Sequence, residues 1–123
     1  INEHFSKSSL KDIFLSLETA KDDSEFAAKT LKILKKMSPT SMALFFEQYK
    51  RAKDMSFEDV MVMEYRLSQG CMHGCDFFEG IRALLIDKDK NPQWEPSDIE
   101  ELDTKLIQKY FETVPRKGDL TFL

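Results

Sequence analysis

Lys36-Met37-Ser38-Pro39-Thr40-Ser41 decides how this chain is read. The residue before a proline is driven out of the α region, so a helix running up to Met37 must stop at Ser38. Pro39 has a fixed φ and no N–H, and at the first position of a helix neither is a cost. Ser38 can then cap a new helix with its hydroxyl. Two helical patterns meet here, and neither flank shows strand-like alternation.

Upstream, Leu10, Ile13, Phe14 and Leu17 recur at i, i+3, i+4 and i+7, one apolar stripe on a helix. Ser9 with Asp12 has capping-box spacing. After a polar break at Thr19–Asp23, a second helix is predicted from about Ser24 to Met37, with Phe26, Ala27, Leu31, Leu34 and Met37 apolar. Downstream of Ser38, Met42, Phe45, Phe46 and Tyr49 mark a third helix that frays in Lys50-Arg51-Ala52-Lys53. Ser56 with Asp59 opens a fourth, whose inward candidates are Phe57, Val60, Met61, Tyr65, Leu67 and Cys71. Gly70 and Gly74 loosen its end, and a short helix with Phe77, Phe78, Ile81, Leu84 and Leu85 follows. Asp87–Pro92 reads as a charged loop, with Trp94 extended between Pro92 and Pro96. Trp94 is expected to pin this loop onto the Phe77–Leu85 helix. Ser97 with Glu100 is the best capping box in the chain, opening a final helix with Ile99, Leu102, Leu106, Ile107, Tyr110 and Phe111. The fold class is therefore all-α, with five to six helices.

Composition narrows the function classes. With 123 residues, one domain of ordinary size is expected. The net charge is −4 and the signs are interleaved, so a basic nucleic-acid footprint is missing and no nucleic-acid partner is expected. No apolar run approaches the roughly 20 residues of a membrane span, so no membrane partner is expected. Two cysteines make no disulfide scaffold. The opening Ile1-Asn2-Glu3 lacks Met and reads as a cut in something longer.

Cys71-Met72-His73-Gly74-Cys75 places two thiols and an imidazole within five residues. Structural zinc needs four ligands, usually from two separated pairs, and His4 is distant in sequence. The better reading is small apolar cysteines at a helix end, with no metal ligand assigned. Glu64 and Asp76 flank apolar segments and are the acids nearest to burial; a salt bridge to Arg66 or Arg82 accounts for them more simply than acid–base chemistry. Neither histidine stands in a nucleophile arrangement, so no catalytic residue is assigned. Arg82, Lys88 and Lys90 form a small basic cluster that could meet phosphate groups. Asp87 and Asp89 alternate with the lysines, which equally describes a solvated loop.

Three stretches carry a resemblance. They are Lys36-Met37-Ser38-Pro39-Thr40-Ser41, then Met63-Glu64-Tyr65-Arg66-Leu67-Ser68-Gln69, then Phe78-Glu79-Gly80-Ile81-Arg82-Ala83-Leu84-Leu85-Ile86-Asp87-Lys88-Asp89 with Asn91-Pro92 and Trp94-Glu95-Pro96. Together, in order and over nearly the whole chain, they resemble the C-terminal part of the 3-hydroxyisobutyryl-CoA hydrolase branch of the enoyl-CoA hydratase/isomerase (crotonase) superfamily. The resemblance implies a helical C-terminal region, here residues 1–123, of a crotonase-type α/β protein whose spiral core is absent. It implies hydrolysis of a CoA thioester in valine breakdown by the parent, without a cofactor. The location it implies is the mitochondrial matrix in a eukaryote and the cytoplasm otherwise. The family's catalytic motifs lie in the spiral core and have no match here, nor does the Gly-Gly segment beside its catalytic acid. This chain alone is therefore expected to be inactive. What the resemblance extends to it is CoA contact, through Arg82, Lys88, Lys90 and Trp94. The partners implied are the CoA thioester, the parent's own N-terminal core and, with that core missing, a second copy through self-association. The alternative is a non-catalytic crotonase-like structural protein inside a larger mitochondrial assembly.

Overall fold

The computed structural model describes residues 1–122. Among these there are seven α-helices, a π-helical and a 3₁₀ segment, and no β-strand. The chain divides into two compact units, Ile1–Met37 and Ser38–Leu123.

The first unit holds α1 (Asn2–Phe5), α2 (Leu10–Ala20) and α3 (Glu25–Leu34). The Ser9 hydroxyl accepts from the Asp12 amide and the Ser24 hydroxyl from the Ala27 amide, so each serine satisfies an orphan donor of a first turn. Ile13, Leu17, Ala27 and Leu31 are buried. The buried His4 bonds through Nδ1 to Ser16 Oγ at 2.8 Å and stacks on Phe26. Two expectations are corrected. The four-residue α1 has no apolar period and was not foreseen. The second predicted helix ends at Leu34 instead of Met37, because the Lys36 and Met37 amides turn back to Ile33 and Leu34 in tighter i+3 bonds.

The second unit holds α4 (Pro39–Ala52), α5 (Phe57–Cys71), α6 (Asp76–Ile81), a π segment (Arg82–Ile86), a 3₁₀ turn (Ile99–Glu101) and α7 (Thr104–Glu112). Ser38 caps α4 at the Ser41 amide, with Pro39 at its start as the sequence required. Ser56 caps α5 at the Asp59 amide. The core joins α4, α5 and α7 through Leu44, Met63, Leu67, Ile107 and Phe111. On α5 the inward stripe is Val60, Met63, Leu67 and Cys71; the expected Phe57 is 72% exposed and Met61 also faces out. On α4, Leu44 is buried, while the expected Phe45 and Tyr49 are exposed.

The largest local correction concerns Ser97 and Glu100. Asp98, not Ser97, accepts from the Glu100 amide and closes a single 3₁₀ turn. Leu102 then turns extended, and Asp103 caps α7 at the Lys105 amide. An aspartate next to a serine outcompetes it by presenting a carboxylate two residues from the amide it serves.

Two arginines hold α7. Arg51 stacks 4.1 Å over the Phe111 ring and donates to Glu47 and Gln108. Arg66 grips both oxygens of Asp119 at 2.6 Å and donates to the Phe111 carbonyl, an orphan acceptor of the last turn. At Gly70 the backbone comes so close to α7 that a Cβ placed there would lie 2.7 Å from Tyr110 Cδ1.

Candidate functional site

All four residues singled out in the sequence meet on one substructure, α6 through Glu95. It begins with the spacing Glu79–Arg82, an i, i+3 pair on a helix. Arg82 Nε and one terminal nitrogen hold the two oxygens of Glu79 at 2.8 and 2.7 Å. The backbone then widens into the π segment, where the Asp87 amide bonds to the Arg82 carbonyl at 2.8 Å. Such π turns are rare and cluster at functional sites. The wider turn brings later acids back to the same guanidinium. Its other terminal nitrogen donates to Asp87 at 2.6 Å and Asp89 at 2.7 Å, while the first also reaches the Asn91 carbonyl at 3.3 Å.

The loop is tied at further points. Glu79 also accepts from the Gln93 amide, Asp89 from the Asn91 amide, and Ala83 O from the Lys90 amide. Asp76 accepts from the Ser38 hydroxyl and the Glu95 amide. The Trp94 ring covers Gly80, with Cη2 3.4 Å from where a Cβ would stand. The ring is half-buried rather than buried.

Within this frame Lys88 and Lys90 are both exposed, and both have left-handed backbones, with φ of 57° and 55°. A non-glycine residue there costs about 1–2 kcal/mol. Two in three residues persist only where the surroundings over-determine them.

The electrostatics follow the bonds. Arg82 lowers Glu79 from its ordinary 4.5 to about 2, and the Gln93 amide adds to this. Asp89 is lowered by Arg82 and then by the Asn91 amide. Arg82 is raised by Glu79, Asp89 and Asp87 in that order. A group lowered on folding stabilises the fold above its unfolded pKa and loses that contribution as pH falls through the folded value. The Glu79 contribution is thus complete above about pH 4.5 and fades toward pH 2. Trp94 is the sole tryptophan and covers the next residue, so its emission should shift across that window. Emission unchanged down to pH 2 would show that the clasp does not hold the loop.

Other sequence candidates are placed as follows. Glu64 bonds Gln48 at the surface, and Arg66 pairs with Asp119 instead of with Glu64 or Asp76. Cys71 is half-buried, its thiol raised mainly by burial, and Cys75 is exposed. Among the described residues no group of three or more His, Cys, Asp or Glu could hold a metal ion, and no helix is long and apolar enough to cross a membrane. The sequence reading missed Glu79 as the centre of the clasp, although its i, i+3 spacing to Arg82 was a signal. It also missed the tie from Asp76 to Ser38, for which no local signal exists across 38 residues.

Residues 1–111 match the family model for enoyl-CoA hydratase/isomerase. The mitochondrial 3-hydroxyisobutyryl-CoA hydrolase of Dictyostelium discoideum is 46% identical over 123 residues, covering 99% of this chain and 32% of that protein. The protein of the same name from Gallus gallus is 46% identical over 112 residues, 91% of this chain and 29% of the relative. A crystal structure of a carnitinyl-CoA dehydratase from Mycobacterium thermoresistibile superposes with a TM-score of 0.86 at 30% identity, over 98% of this chain and 34% of that one. The chain spans about a third of the length of the relatives it matches. On the match over residues 1–111, with an all-helical fold shared over nearly its full length, this chain belongs to the enoyl-CoA hydratase/isomerase family.

Proposed function

We propose that residues 1–123 are the C-terminal helical region of a CoA-thioester hydrolase acting on 3-hydroxyisobutyryl-CoA in valine breakdown. The parent works in the mitochondrion. The region packs on the parent's catalytic core and helps to close the CoA site. The observation that carries this reading is identity of 46% over 99% of the chain to a protein of that name, spread across both compact units. Lys88 and Lys90 meet phosphate groups of CoA, with Arg82 in the π segment before them and Trp94 after them. The substrate needs fixed donors for the charge that develops on the thioester oxygen and a carboxylate for the attacking water; the core supplies both. A thiol-release assay on the full-length parent tests this: release from 3-hydroxyisobutyryl-CoA is expected, and a rate no faster than background sinks the reading.

The helical region keeps apolar surface that suits a covering core. Phe78, Leu84, Leu85 and Ile86 are 52%, 61%, 67% and 69% exposed on one short stretch. Apolar patches of this kind usually mark an interface. Separated from the core, the chain is expected to self-associate. Sedimentation at high concentration checks this, and a clean monomer counts against it.

A further inference from the structure

Arg82, in the π segment before the loop, is the residue a phosphate would most readily attract, since a guanidinium matches phosphate oxygens in pairs. Its own bonds argue against that use. A guanidinium has five N–H donors. Arg82 makes five bonds: two to Glu79, one each to Asp87 and Asp89, and one to the Asn91 carbonyl. Any anion reaching it must displace a carboxylate or that carbonyl, against the repulsion of three acids. The lysines differ. They are exposed, and their left-handed backbones are held by ties on either side, at Asp87 to Arg82 before them and at Lys90 to Ala83, Asn91 to Asp89 and Gln93 to Glu79.

The geometry points to Arg82 as a positioning residue: with Glu79, Asp87 and Asp89 it clasps the 87–93 loop in the strained form that presents Lys88 and Lys90, and the two lysines take the anionic group. This rests on the assignment of Lys88 and Lys90 to the phosphates of CoA. It also explains why three acids sit beside an anion seat, where Coulomb attraction alone would remove them.

That last point gives the test its sign. CoA binding by the full-length parent is measured by calorimetry at low ionic strength. Asp89→Ala deletes a negative charge beside the lysines, so electrostatics alone would tighten binding. The clasp predicts instead a loss of about fivefold, because Asp89 holds both Arg82 and the Asn91 amide. Arg82→Gln should weaken binding about tenfold in the parent and less than about twofold once Lys88→Ala and Lys90→Ala are present, since it acts only through them. Unchanged or tighter binding by Asp89→Ala overturns the inference. So does an equal tenfold loss from Arg82→Gln in both backgrounds, which is the signature of direct contact. If the lysine pair variant alone binds CoA as tightly as the parent, the assignment of the lysines fails, and the inference with it. Should Arg82→Gln not fold, the Asp89→Ala result decides.

Discussion

Phe111→Ala is expected to remove about 3–5 kcal/mol of folding stability, the usual cost of truncating a buried aromatic residue. Phe111 is 5% exposed and lies among Leu44, Met63, Leu67 and Ile107, where α4, α5 and α7 meet. Its ring also seats the Arg51 guanidinium at 4.1 Å, an arrangement worth roughly a further 0.5–1 kcal/mol at a partly exposed site. Domains of this size hold a total of about 5–15 kcal/mol, so the variant should lose a large share of its stability. Denaturant unfolding measures it. A loss below about 1 kcal/mol would show that the three-helix junction does not organise the second unit. Arg51→Ala supplies the control, because it removes the stacked cation and leaves the ring in place.

The second large effect concerns activity. These 123 residues, assayed alone for thiol release from 3-hydroxyisobutyryl-CoA, are expected to stay at background. The acids the structure engages near the candidate loop are already bound: Glu79, Asp87 and Asp89 to Arg82, and Asp76 to Ser38 and the Glu95 amide. None is left poised toward a water beside an oxyanion site. Loss of a single oxyanion donor costs roughly 10²–10³ in turnover, and the function proposed above places every such donor outside these residues. Turnover within about a hundredfold of the full-length parent would place catalytic groups in this region and overturn the division of labour proposed above.

The helices were legible where their chemistry is local. Ser9, Ser38 and Ser56 cap as the spacing requires, because a cap involves only the next three amides. Pro39 fixed the start of α4 for the same reason. The reading failed where two local signals compete, as at Ser97 and Asp98. It also failed in choosing which apolar residues turn inward. Phe57 and Phe45 are large and apolar yet exposed, while Met63 and Leu44 are buried, and a helix with apolar residues on more than one side does not say which side turns inward. The candidate loop was found by its residue types and by resemblance. Its internal clasp was not legible, because Arg82 meets acids three, five and seven positions away. Regular helical geometry does not bring that set together; the π turn does.

Gly70 and Tyr110 are forty positions apart, yet they form one unit of inheritance. The ring of Tyr110 occupies the volume a side chain at 70 would fill, and its hydroxyl stands 2.9 Å from where a Cβ at Gly74 would lie. One aromatic ring is thus the spacer for two glycines four positions apart, one on α5 and one just past its end. A methyl group at 70 is admissible only if the residue at 110 shrinks. A smaller residue at 110, by itself, leaves a void beside the half-buried Cys71. The viable route between α5–α7 pairings of different width runs through paired changes. Lineages that carry this region should therefore exchange glycine and tyrosine together or keep both.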